Sequence, residues 1–218
     1  MTAIQIVFGG AGFQHQGGFA DPATLEKTYV ALENAGCKII DTATRYGASE
    51  EILGQSGGSK RFTIDTKAPG GIYPGSSTAQ GLQDFAHQSK ENLAIEQVDV
   101  WYLHAPDTVP IEETLRGVNE AYKQGWFRRF GLSNYLAEDV QKIYDICKRE
   151  GYPLPSVYQG DYSPITRKQE EHIFPTLRKL GIVSADTHDL CDKAIATMAD
   201  IPYIRASTLI RLSQEVSS

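Results

Sequence analysis

Short apolar runs rich in β-branched and aromatic residues alternate along this chain with longer amphipathic stretches. Residues 3–8, 38–40, 62–66, 98–103, 127–131 and 156–159 have the length and composition of strands. Helical patterns occupy residues 23–35, 49–55, 77–93, 110–124, 137–150 and 168–180. In the fourth of these, Ile111, Leu115, Val118 and Tyr122 recur at three- and four-residue intervals, which predicts one buried stripe. Gly36, Gly125, Gly151 and Gly181 each follow a helical pattern, where a left-handed cap is wanted. Pro110, with Glu112 and Glu113 behind it, suits a first helical turn. Ser49, followed by Glu50 and Glu51, reads as an N-cap.

Six strand–helix units in succession predict a parallel α/β fold. No linker divides them, so residues 1–182 read as one domain and residues 183–218 as an atypical C-terminal tail. Periodicity alone does not separate a barrel from an open doubly wound sheet. A nucleotide-binding open sheet is expected to carry GxGxxG after its first strand. Here the turn is GGAGFQHQGG, with His15 where the third glycine belongs, and it reads as a flexible loop over a cleft. In the tail, residues 190–198 suit a short helix ended by Pro202. Residues 204–212 alternate like a strand, but a helix with Leu209, Leu212 and Val216 inward is the preferred reading.

A net charge of -6 removes any general attraction for nucleic acid or anionic membrane, so an anionic ligand would need a local basic patch. No apolar run approaches the roughly 20 residues of a membrane span. The N-terminal MTAIQIVFGG lacks the basic and long apolar regions of a secretory signal, so the cytoplasm is the expected location. Cys37, Cys147 and Cys191 are widely spaced, and neither a disulfide framework nor a metal site is expected.

The candidate chemistry lies at the ends of the apolar runs. Asp41, Lys67 and His104 sit at or just past three such ends, and Tyr46 follows in the loop after the first. In parallel barrels such ends converge on one face. A lysine cation beside a phenol favours the phenolate, and an aspartate beside the lysine keeps it charged. A neutral histidine could orient a carbonyl oxygen that accepts the phenolic proton. Each residue alone has a bland reading as a cap, a surface group or a satisfied core residue. Four compatible groups at neighbouring strand ends favour a site.

DTATRYGASEEILG, FTIDTK and WYLHAPD resemble signature segments of the aldo-keto reductase family, and GWFRRFGLSNY and VYQGDYSPITRK resemble its cofactor-facing segments. Within the family the likeness is greatest to the aflatoxin-aldehyde reductase branch. The resemblance implies a TIM-type (β/α)8 barrel that reduces a small aldehyde or ketone with NADP(H). It makes Tyr46 the proton donor, Asp41 and Lys67 its tuning partners, and His104 the substrate-orienting group. Ser133, Asn134 and Gln159 would hold the nicotinamide carboxamide beside Asp41. On their own, Ser133 and Asn134 would read as a turn.

After KLGI the likeness stops: neither the family's aromatic seventh strand nor its basic phosphate loop is legible. The expectation is therefore a C-terminally truncated or altered barrel of about six β/α units that binds NADP(H) weakly. Its first and sixth strands would be open edges, inviting a homo-oligomer. Two alternatives follow from the missing segment. One is a cofactor-independent acid/base enzyme (isomerase, dehydratase or cyclase). The other is a non-catalytic, partner-dependent protein.

Overall fold

The six predicted strands and the predicted helices up to residue 150 form close to their predicted places, and their order sets the architecture. The computed structural model describes residues 4–16, 19, 21–162, 167–185 and 208–212. The elements run β1 (Ile4–Gly9), α1 (Pro22–Asn34), β2 (Ile39–Asp41), α2 (Ser49–Gln55), α3 (Gly58–Arg61), β3 (Thr63–Ala68), α4 (Ala79–Leu93) and β4 (Val98–Leu103). They continue α5 (Ile111–Lys123), β5 (Phe127–Ser133), α6 (Ala137–Glu150), β6 (Pro155–Gln159), α7 (Gln169–His172), α8 (Phe174–Leu180), β7 (Val183–Ala185) and β8 (Thr208–Leu212). Strands β1 to β7 pair in sequence order and in parallel. The first seven positions of a TIM-type barrel are thus present. The repeat remains incomplete, because the eighth position holds an antiparallel strand rather than a parallel β/α unit.

Strand alternation sorts the side chains into two sets. Trp101 and Leu103 of β4 face outward into the large core shared with the helices, together with Leu82, Leu115, Val118 and Val140. Val100 and Tyr102, on the opposite face, form a small separate cluster with Val157 inside the barrel. Gly131 of β5 lies opposite Tyr102 in the register. A Cβ at Gly131 would collide with the Tyr102 ring, so this glycine makes room for an aromatic ring inside a narrow barrel.

Several expectations are corrected. A seventh strand exists, as the short β7 paired with β6. Within residues 204–212 the preferred helix is not found; Thr208–Leu212 is a strand antiparallel to β1, from Phe8↔Thr208 to Ile4↔Leu212. That pairing and the β6–β7 pairing cover the edges that were expected to be open, which removes the motive given for a homo-oligomer. Residues 190–198 lie outside the described residues. The helix expected over 168–180 breaks into α7 and α8 around Ile173, because Pro175 lacks the N–H that a continuous helix would use. Ser49 is not a cap: Ala48 holds that position, and the Ser49 hydroxyl donates instead to the Gly10 carbonyl at 2.8 Å. Tyr122 departs from its stripe and is 45% exposed, resting its ring on Phe127. The loop after β1 is no open flap, since it forms a 3-10 turn at Gly10–Gly12 and buries Phe13 completely. The four glycines after helices do adopt positive φ, from 68° to 76°.

Candidate active site

The register brings the polar strand ends together. Asp41 pairs with Gly9 on one side and Asp65 on the other, and Ser133 pairs with Gln159. Asp41, Ser133 and Gln159 each end their strands, Lys67 is next to last in β3, and His104 follows β4 directly. All therefore lie at the C-terminal end of the parallel barrel. Gln159 donates its amide to Asp41 Oδ1 at 3.3 Å, which joins β6 to β2 across the barrel mouth.

Lys67 is the centre of the cluster. It is fully buried, and its Nζ donates to Asp41 Oδ2 at 2.6 Å and to the Thr42 carbonyl at 2.8 Å. Its ammonium lies 4.9 Å from the centre of the Tyr46 ring and 5.6 Å from that of Tyr102. Burial by itself would push the lysine pKa down. The carboxylate of Asp41 and then the phenol of Tyr46 outweigh it and hold the pKa above its ordinary value. Lys67 is therefore a cation at pH 7.

Tyr46 sits on a tight turn, its N–H donating to the Ala43 carbonyl at 2.9 Å. Gln14, from the loop after β1, donates to the Tyr46 carbonyl at 2.8 Å and steadies that turn. The Tyr46 and His104 rings meet edge to face, with centroids 5.7 Å apart and planes at 82°. Burial, then the charges of Lys67 and Arg45, drive the His104 pKa down to about 4. The imidazole is neutral at pH 7 and can hold a proton on only one ring nitrogen. Its Nδ1 is buried without a hydrogen-bond partner.

Asn134 adopts a left-handed backbone (φ 63°), which asparagine tolerates better than most residues. This is more than a turn, because its side-chain amide donates to the His104 carbonyl at 2.9 Å and to Ser133 Oγ at 3.1 Å. Ser133 and Gln159 are buried and Asn134 is exposed, so a hydroxyl and two primary amides line one arc of the mouth. The seven residues named from the sequence thus fall in one region. Among the described residues, no group of three or more His, Cys, Asp or Glu is placed to hold a metal ion. Nor is any helix among them long and apolar enough to cross a membrane.

Three contributors escaped the sequence reading: Gln14, Asp107 and Glu50. Asp107 accepts from the Gly75 and Ser77 amides at 2.7 and 2.8 Å and so fastens the loop after β3 onto the segment that carries His104. Gly70 and Gly71 allow that fit, because a Cβ at either would strike the backbone of Ala105 or Pro106. Partial burial opposes the Asp107 charge, but the amides overcome it and hold the carboxyl at about 2. Glu50 carries no signal in the sequence, since an acidic residue in a first helical turn ordinarily faces water, yet it is buried here.

Comparison with known proteins accords with this geometry. The Aldo/keto reductase family profile matches residues 5–187. "Oxidoreductase sirO" of Leptosphaeria maculans is 37% identical over 187 residues, covering 81% of this chain and 56% of that protein. The human "Aldo-keto reductase family 7 member A3" and "Aflatoxin B1 aldehyde reductase member 4" are each 42% identical over 169 residues, covering 74% of this chain and 50% of theirs. The chain thus spans about half the length of these curated relatives. With strand ends, buried ion pair and sequence in agreement, the chain belongs to the aldo/keto reductase family.

Proposed function

We propose that this protein reduces a small aldehyde or ketone to an alcohol with NADP(H), using Tyr46 as proton donor. The observation that carries the reading is the fully buried Lys67 cation, paired with Asp41 at 2.6 Å and lying beside Tyr46. A buried ion pair contributes little net stability, so its place at the barrel mouth speaks for chemistry. The nicotinamide, when bound, supplies the hydride. Tyr46 gives its phenolic proton to the carbonyl oxygen as that oxygen gains charge. Lys67 favours the phenolate left behind, and Asp41 keeps Lys67 charged and in place. His104, neutral at pH 7, donates its single ring N–H to the same oxygen and orients it.

The donor set fits the nicotinamide end of the cofactor. A carboxamide needs one acceptor and one donor partner, and Ser133, Asn134 and Gln159 offer both. Both hydrogen bonds found for the Asn134 side chain use its amide as donor, which leaves the carbonyl oxygen as an acceptor. The expected weakness of phosphate binding concerns residues 186–207, outside the described residues. The test is a fluorescence titration with NADPH, followed by NADPH consumption over a panel of aldehydes, for the parent and Tyr46→Phe. The parent should turn over, and Tyr46→Phe should lose roughly 10²–10⁴-fold in rate while still binding NADPH. A parent without turnover, or a variant equal to it, refutes the proposal.

A further inference from the structure

The site described so far uses the inner face of β3. Its outer face carries a second polar cluster, between β3, α2 and α4. Glu50 is 2% exposed there. Its Oε1 accepts from the Thr66 hydroxyl at 2.6 Å and its Oε2 from the Ser89 hydroxyl at 3.2 Å. The Asn92 side chain is a third partner. Ser89 Oγ also lies 3.4 Å from the Thr44 hydroxyl, which donates to the Lys67 carbonyl at 2.9 Å. The Thr44 N–H donates to that same carbonyl at 3.2 Å.

Ser89 gives its one hydroxyl proton to Glu50 and Thr44 gives its own to the Lys67 carbonyl, so Ser89 and Thr44 meet as a 3.4 Å contact that joins the two bonded pairs. Thr66 is the residue before Lys67, and Thr44 is two before Tyr46. Glu50 therefore holds β3 directly at Thr66. Through Ser89 and Thr44 it also holds the strap on which the Tyr46 turn is built. An apolar side chain would fill this place at lower desolvation cost, since burying a carboxyl is unfavourable unless its hydrogen bonds are satisfied. Two of its three partners, Thr66 and Ser89, lead to the segments that carry Lys67 and Tyr46.

We propose that Glu50 is a positioning residue for the Lys67–Tyr46 pair, acting from behind the sheet through Thr66 on one side and Ser89 and Thr44 on the other. The inference rests on the reading of Lys67 and Tyr46 as the reactive pair. Glu50 touches neither substrate nor cofactor. Burial, although opposed by the hydroxyl and amide partners and by the Lys67 charge, raises its pKa. An isosteric amide can keep part of the network, whereas leucine can keep none of it.

The test compares Glu50→Gln and Glu50→Leu with the parent by two readouts. The first is the ¹H–¹⁵N signal of the Lys67 ammonium in lysine-labelled protein, assigned by its loss in Lys67→Arg. It should persist in Glu50→Gln and shift or broaden away in Glu50→Leu. The second is aldehyde reduction, where Glu50→Leu should lose at least about tenfold in kcat with KM changed less than about threefold. Glu50→Gln should recover most of that loss. If Glu50→Leu fails to fold, Ser89→Ala breaks the path one step further on and should produce the same change in the ammonium signal. An unmoved Lys67 signal in a folded Glu50→Leu or Ser89→Ala protein overturns the inference. A parent without turnover removes the functional reading alone, because the ammonium signal still decides whether Glu50 positions Lys67.

Discussion

Replacing Asp41 by Asn separates the two opposing terms of the buried ion pair. At 2.6 Å and an effective dielectric of about 20, the gross attraction between Lys67 and Asp41 is about 6 kcal/mol. Desolvation of two ions offsets most of it, so the pair as a whole contributes little. Removing one partner is different, because Lys67 remains fully buried and loses its counter-charge. Such losses run to about 3–5 kcal/mol, a large part of the ~5–15 kcal/mol that holds a domain folded. Asparagine also faces a conflict of donors: its one side-chain oxygen cannot serve both Lys67 Nζ and Gln159 Nε2 as Asp41 does.

At about 2–4 °C per kcal/mol, Asp41→Asn should lower the melting temperature by roughly 6–20 °C at pH 7, read by circular dichroism. The pH dependence carries a sign. In the parent, the Lys67 pKa is raised on folding. Its contribution is fully present below the unfolded lysine value of about 10.4 and is lost only as pH rises through the folded value. The parent should therefore be flat in this respect between about pH 7 and 9. In the variant the Asp41 charge is gone and burial is opposed only by Tyr46, so the folded pKa falls, the unfolded state binds more protons, and stability rises with pH. The gap between the two proteins should narrow as pH increases over that range. Adding Lys67→Met should restore most of the loss, since a neutral buried pair has no ion to strand. A melting temperature within 2 °C of the parent at about pH 7, or a gap that widens with pH, would refute the reasoning.

Three further outcomes are expected. Gly131→Ala should cost at least about 1–3 kcal/mol in urea unfolding, because the new methyl meets the Tyr102 ring inside the barrel. Asp107→Asn should remove about 1 kcal/mol after allowance for solvent screening, and the parent should lose the same contribution as pH falls from about 4 through about 2. His104, with its pKa lowered to about 4, should show no ring protonation by nuclear magnetic resonance above about pH 5.5. The unfolded histidine takes up its proton near pH 6.5, so stability should fall as pH drops from there towards about 4.

What could be read from the sequence follows from how local the information is. The apolar runs end where their strands end, so the sequence alone puts Asp41, Lys67 and His104 on one face. Ser133 and Asn134 looked like a turn because their meaning is not local: Asn134 reaches the carbonyl of His104, 30 residues away. The Gln159–Asp41 bond spans 118 positions and depends on the curvature of the sheet. Glu50 was hidden by its setting, since an acidic first helical turn ordinarily faces water, whereas α4 and β3 here close over it. In residues 204–212 the deciding factor was the unfilled edge of β1. A stretch that could serve as helix or strand becomes a strand where a neighbour offers a row of unpaired amides and carbonyls.

The reversed direction of β8 also changes the geography of the chain. A parallel eighth strand would have required a return crossover, usually a helix of a dozen or more residues, from one end of the barrel to the other. Here β7 ends at Ala185, level with Gln159, and β8 starts at Thr208, level with Phe8 beside the last residue of β1. The end of β7 and the start of β8 thus lie at the same end of the wall, the one that carries Asp41, Lys67, Ser133 and Gln159. The cost of closing a loop grows only slowly with its length. Insertions or deletions between these two points can therefore be accommodated without shifting any described strand against its neighbour.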